Sequence, residues 1–135
     1  MILNRLNKYR DTGLLILRIG LGIMFIYHGL PKMCAGLPMW TKLGAAVSNV
    51  GINFGFPFWG FMSAFAELIG GVCLILGLLF RPFCFFLVIN MIVAAAMHLK
   101  TGQGMAAAAW PIEDGIVFLS LLLIGPGRFS LDEKL

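Results

Sequence analysis

The sequence predicts an all-α integral membrane protein, an antiparallel bundle of four transmembrane helices with an amphipathic interfacial segment between helices 1 and 2. Three observations support this fold class. The chain of 135 residues is 60% hydrophobic and only 12% charged, with a mean hydropathy of +0.95, which lies outside the range of soluble domains. Four apolar stretches are close to the roughly 20 helical residues that cross a bilayer. The basic residues sit mostly at the ends of these stretches. We therefore predict a single membrane domain over residues 1–135.

The four spans are expected at residues 12–32, 58–80, 83–99 and about 105–124. Arg81 and Pro82 predict a tight turn between the second and third spans, because proline breaks a helix and arginine favours the headgroup level. A short loop at residues 101–104 precedes the fourth span, and the sequence Gly-Pro-Gly at 125–127 ends it.

The start of the fourth span stays open at the level of sequence. Pro111 suits the first position of a helix, and the acidic Glu113 and Asp114 suit its positive end. Alternatively the helix begins near Met105, and the acidic pair then lies deeper in the membrane.

The two dozen residues between the first and second spans are too many for a turn. Trp40, Leu43, Val47 and Val50 recur at helical spacing among polar residues, which predicts an amphipathic helix lying at the membrane interface. We expect this helix to cover the outer end of the bundle.

The distribution of lysine and arginine predicts the orientation. With both termini on one side, that side carries six basic residues and the other carries three, so the majority side is expected to be cytoplasmic. The six are Arg5, Lys8, Arg10, Arg81, Arg128 and Lys134, and the three are Lys32, Lys42 and Lys100. Although the net charge is +4, no basic run forms a phosphate-binding face, and we expect no nucleic-acid partner.

Six ionisable residues lie inside or near the apolar spans, where function is most reasonably sought. A charge at the bilayer centre costs about 3 kcal/mol on insertion scales, so such a residue usually faces a partner or a wet cavity. The six are Arg18, His28, Glu67, His98, Glu113 and Asp114.

Glu67 is the most unusual of them, because small residues surround it near the middle of the second span. One interpretation is a structural ion pair with Arg18 on the first span. The other makes Glu67 a protonatable group or ligand contact in a cavity. Both interpretations stay open, and Glu67 and His98 are named as candidate catalytic groups without an assigned reaction.

A polar pocket open to the outer leaflet is the predicted ligand site. His28, Lys32, His98 and Glu113 are expected to line it, with Glu67 deeper as its floor. Two histidines on different helices could hold a haem or a metal ion. Because no further ligands stand at fixed spacing, we predict no metal site and do not expect a haem.

Taken in order along the chain, these positions resemble the DoxX family of small bacterial membrane proteins. The positions are Arg18, Gly22, Phe25, Gly29, Lys32, Trp40, Glu67, Gly70, Gly71, Gly77, Arg81, His98 and the closing G-P-G-x-x-S-L-D at residues 125–132. The resemblance implies a four-helix membrane bundle that is oxidoreductase-like or quinone-linked. The chain has no C-x-x-C pair and departs in this from membrane thiol oxidoreductases.

Three functions fit these expectations. The first is an inner-membrane, redox-associated protein that holds a quinone or similar small amphiphile and receives electrons from a redox partner protein. The second is a small proton-coupled transporter or permease that works as a homo-oligomer. The third is an assembly or stability factor of a membrane complex with no chemistry of its own. Sequence alone leaves open which of them applies and whether the chain is an enzyme.

Overall fold

The computed structural model describes residues 2–135, and the regular secondary structure in this range is entirely helical. The α-helices are α1 (Arg10–Cys34), α2 (Leu37–Gly44), α3 (Phe56–Leu76), α4 (Phe80–Lys100) and α5 (Gly104–Ile124). Three 3₁₀ helices cover Ile2–Tyr9, Ala45–Val50 and Asp132–Lys134. Helices α1, α3, α4 and α5 are long and apolar enough to cross a membrane, which confirms the predicted fold class.

The long helices pack as two close pairs, α1 with α3 and α4 with α5. Helix α2 and the following 3₁₀ helix form the interfacial segment (residues 37–50), which packs against α3 and α4. The buried core joins the pairs, and the Phe25 and Phe118 rings meet edge to face across α1 and α5 with their centroids 5.0 Å apart. The predicted interfacial segment thus occupies the end of the bundle opposite the clamped termini, which is named the outer end after its predicted orientation.

Glycines fix the register of α1 against α3. A Cβ atom built on Gly29 would lie 2.5 Å from the backbone nitrogen of Leu68, and one on Gly22 would lie 2.6 Å from the Gly71 carbonyl oxygen. No side chain fits at such distances, so the two backbones touch here as in other close membrane helix pairs. This register sets which side chains of α1 and α3 can meet.

The predicted turn at Arg81 and Pro82 is wrong by a few residues. Helix α3 ends at Leu76 and the chain turns at residues 77–79, where Gly77 adopts a left-handed φ of 66°. Pro82 instead lies in the first turn of α4, where its missing N–H is no loss because that group has no partner within the helix.

The open start of the last span is resolved in favour of the longer helix. Helix α5 begins at Gly104 and continues through the buried Pro111. Glu113 and Asp114 therefore lie nearly three turns into the helix and not in its first turn.

The G-P-G-x-x-S-L-D sequence forms a C-terminal clamp (residues 125–132) at the end of the bundle that holds both termini. The Leu131 N–H donates to the Leu76 carbonyl at 3.1 Å, and the Asp132 carboxylate accepts from the N–H groups of Leu79 and Phe80, both at 2.9 Å. The Arg128 N–H donates to Asp11 near the start of α1. The clamp therefore ties the α3–α4 turn to the beginning of α1.

Candidate ligand cavity

A cavity of about 520 Å³ lies between α3 and α4 beneath the interfacial segment. Most of its wall is apolar, from residues such as Phe58, Met62, Phe65, Phe86 and Val93. A smaller set of polar or charged side chains also lines it, namely Lys32, Lys42, Ser63, Glu67, Asn90 and His98. This combination of apolar walls and a few polar groups is typical of small-molecule sites.

Four of these six polar side chains form one connected network around Glu67. Lys32 Nζ donates to both carboxylate oxygens of Glu67, at 2.9 and 3.1 Å. Asn90 Nδ2 donates to Glu67 Oε1 at 3.1 Å, and Ser63 Oγ donates to Asn90 Oδ1 at 2.7 Å. The network links α1, α3 and α4 near the middle of the bundle, so a ligand in the cavity would have a polar contact deep in hydrocarbon.

The interfacial segment is held over the cavity at three points. The Trp40 indole N–H donates to the Lys32 carbonyl at 3.1 Å. Helix α2 rests backbone to backbone on α3, where a Cβ atom on Gly60 would lie 1.7 Å from the Trp40 carbonyl oxygen. Lys100 Nζ donates to the Asn49 carbonyl at 2.6 Å, joining the segment to the end of α4. The interfacial segment is therefore tied to α1, α3 and α4 and forms a roof over the cavity.

The cavity extends along most of α4. Its lining along α4 runs from His98 at the outer end to Phe83 in the first turn, and fifteen helical residues correspond to about 22 Å. A volume of about 520 Å³ over that length is large enough for a hydrocarbon chain.

The predicted ion pair between Arg18 and Glu67 is wrong. Arg18 is fully buried and donates to four backbone carbonyls at 2.7–3.0 Å, those of Leu74, Ile75, Pro126 and Phe129. The glycine contacts explain this result. They place Glu67 opposite Gly29, which is one turn from Lys32 and three turns from Arg18.

Of the side chains expected in one pocket, the structure brings Lys32, Glu67 and His98 to the α3–α4 cavity. His28 and Glu113 do not line it. Both are exposed on the surface of the bundle. The His28 ring packs beside Phe25 and Tyr27 of its own helix, and Glu113 lies on the side of α5 opposite its buried residues. The ligand-binding role of the cavity residues stays a prediction.

Asn90, Ser63 and the Trp40 indole were not predicted as site residues. Asn90 carried a signal, because an amide in the middle of an apolar span needs a hydrogen-bond partner. Nothing in the sequence pointed to the bond from Trp40 to Lys32, since a backbone carbonyl carries no sequence signature.

Comparison with known proteins identifies the family. The family model described as DoxX matches residues 13–100, which is more than half of the chain. The protein belongs to the DoxX family. A Haemophilus influenzae protein described as uncharacterized is 32% identical over 140 residues, which cover 98% of this chain and 97% of the relative. No solved structure matches the chain significantly. The matched part of this DoxX-family protein contains the polar network and the interfacial segment, while α5 and the C-terminal clamp lie beyond it.

Proposed function

We propose that this DoxX-family protein binds a small amphiphile of the quinone type in the α3–α4 cavity, as a redox-associated protein of the bacterial inner membrane. The observation that carries the proposal is the network of Lys32, Glu67 and Asn90 in the wall of an otherwise apolar cavity. An elongated apolar site with a few convergent polar groups suits a single-chain molecule that has a polar head.

The donors in the cavity fit a head group that only accepts hydrogen bonds. The Lys32 ammonium has three N–H groups. Its two hydrogen bonds within residues 2–135 both go to the carboxylate oxygens of Glu67. Its side chain is 28% exposed and lines the cavity, so the third N–H is available to a carbonyl oxygen. His98 lines the same cavity about 12 Å further out along α4 than Asn90. The tail would lie along Phe83, Phe86 and Ile89.

Glu67 and His98 supply proton-transfer chemistry in this proposal. A quinone head takes up protons together with electrons, and a carboxylate or imidazole within hydrogen-bond reach can donate or accept them. These side chains carry no electrons, so a redox partner protein delivers them. In this arrangement Lys32 and Asn90 orient the Glu67 carboxylate toward the head group.

Two features favour ligand binding over the alternatives raised by the sequence. The lining of the cavity reaches Phe83 but includes no residue of the C-terminal clamp, so it suits a bound molecule better than a solute crossing the membrane. An assembly factor without chemistry would be expected to have its helices closely packed throughout, whereas this bundle has an apolar cavity of about 520 Å³ between α3 and α4.

Binding can be tested by tryptophan fluorescence of the purified protein in lipid nanodiscs. Trp59 and Trp110 line the cavity, so a decyl-substituted benzoquinone should quench their emission saturably. Val93→Phe fills the cavity and should weaken binding at least about tenfold. Ile92→Phe is the matched control, because Ile92 is exposed and does not line this cavity, and it should bind like the unchanged protein.

Two results would contradict the proposal. One is quenching that does not saturate, and the other is an equal response of the Val93→Phe and Ile92→Phe variants. Laurate serves as a second probe with a chain of similar length and an anionic head. Stronger competition by laurate than by the benzoquinone would keep the cavity as a ligand site but replace the quinone with an anionic amphiphile.

A further inference from the structure

Glu113 has an unusual position for a carboxylate in a membrane protein. It lies nine residues into α5, which corresponds to about 13.5 Å from the outer end of a helix about 31 Å long. The buried residues of α5, Ala108, Pro111, Phe118 and Leu121, are on the opposite side of the helix from Glu113 by helical spacing. Glu113 is exposed on the outside of the bundle, where lipid would surround a single copy.

A lone carboxylate at that depth is unfavourable, and such groups normally face another polar group. Glu113 has no hydrogen-bond or ion-pair partner within residues 2–135. The cost is relieved if a second protein surface covers this side of α5 and supplies a partner.

His28 provides the matching group on the neighbouring helix. It is also exposed and has no hydrogen-bond partner in the described chain. The contact between Phe25 and Phe118 aligns α1 with α5. Because His28 lies three residues outward from Phe25 and Glu113 lies five residues outward from Phe118, their depths differ by only about 3 Å. Asp114, the next residue on α5, lies within electrostatic range of both groups.

From this juxtaposition we propose that the outer face of α1 and α5 is an interface with a second copy of the chain. In this interface His28 of each copy contacts Glu113 of the other. One face that carries an acid and a base at the same depth is complementary to itself, because a two-fold axis along the membrane normal pairs each acid with the other copy's base. Gly13 and Gly20 on α1 have open space in front of them, which permits close approach of another helix. The proposal is independent of the cavity between α3 and α4.

Association can be measured by energy transfer between labelled copies in liposomes. Cys34 is exposed whereas Cys73 and Cys84 are buried, so a maleimide dye should label the first selectively. Donor- and acceptor-labelled protein should show energy transfer above the random-proximity level at low protein density. Added unlabelled protein should compete for association and reduce the energy transfer to the random-proximity level.

Charge exchange tests the predicted contact directly. His28→Glu alone places acid against acid twice in a dimer, and Glu113→His alone places base against base, so each variant should self-associate at least about tenfold more weakly. A mixture of the two variants restores both acid–base contacts and should recover most of the energy transfer. Glu133→His changes a carboxylate near the C-terminus outside the spans and should leave association unchanged.

The mixed experiment separates an interchain contact from a structural role within one chain. Recovery in the mixture demonstrates that both variants are folded and that the contact joins two copies. If the charge-exchange variants are too unstable to reconstitute, His28→Gln and Glu113→Gln should each weaken association severalfold. Energy transfer at the random level for the unchanged protein, or single variants that associate as well as it does, would overturn the proposal.

Discussion

Lys32 Nζ lies 2.9 Å from Glu67 Oε2, so this ion pair joins the outer end of α1 to the middle of α3. Its two members differ in their surroundings. The Lys32 side chain is 28% exposed, whereas that of Glu67 is 5% exposed and receives a further bond from Asn90. Removing one partner therefore has different consequences from removing the other.

Lys32→Met should destabilise the protein more than Glu67→Gln does. The first change leaves a buried carboxylate without its cation, which costs about 3 kcal/mol. The second leaves a lysine that can extend toward the interface and an amide that keeps hydrogen bonds, at a cost of about 1 kcal/mol. Thermal unfolding in detergent measures both, and Lys32→Met/Glu67→Leu should recover much of the larger loss. Equal, small effects of all three changes would show that the pair contributes nothing to stability.

Arg18 should not tolerate lysine although the charge is retained. Its guanidinium binds four carbonyls that come from the end of α3 and from the C-terminal clamp. A lysine ammonium has three donors on one atom and cannot span that arrangement. We expect Arg18→Lys to lose about 3 kcal/mol of stability because buried carbonyls lose their partners. Faster trypsin cleavage at Arg128 should report a loosened clamp, and Arg10→Lys, at an exposed position, is the control.

Gly60 should be required for the interfacial segment to pack against α3. A methyl group there would overlap the Trp40 carbonyl oxygen, 1.7 Å away, so Gly60→Ala must move α2 away from α3. Hydrogen exchange at residues 37–50 should accelerate at least about tenfold as the segment opens locally. Gly13→Ala meets nothing within 4 Å and should leave exchange unchanged, with a small gain in helix stability of up to about 1 kcal/mol. Unchanged exchange in Gly60→Ala would mean that the roof adjusts without opening.

The fold could be predicted because the physical signals for it are local. Apolar stretches of spanning length and the spacing of Trp40, Leu43 and Val47 required no knowledge of packing. The errors at the α3–α4 turn arose because Gly77 in a left-handed conformation ends α3, while Pro82 is compatible with the first turn of a helix. Both residues mark a boundary, and the sequence alone does not say on which side of it each one falls.

The site could be predicted only in part because it depends on helix register. Lys32, Glu67 and His98 were correctly grouped by depth along their spans. The partner of Glu67 was not, because contacts at Gly22 and Gly29 set α1 against α3 by backbone approach, and glycine leaves no directional pattern in a sequence. Arg18 was expected to seek a carboxylate, but the unpaired carbonyls at the end of α3 satisfy a guanidinium equally well.

The orientation of the bundle can be tested with two single cysteines in a Cys34→Ser background. The clamp places the start of α1, the first turn of α4 and the C-terminus at one end of the bundle, and Lys100 ends α4 at the other. The end with both termini carries the larger number of basic residues and should face the cytoplasm. An impermeant maleimide should therefore label Lys100→Cys in intact cells, or in spheroplasts where an outer membrane blocks access, and should label Lys134→Cys only after permeabilisation. The reverse pattern would invert the topology and would place the interfacial segment at the inner leaflet.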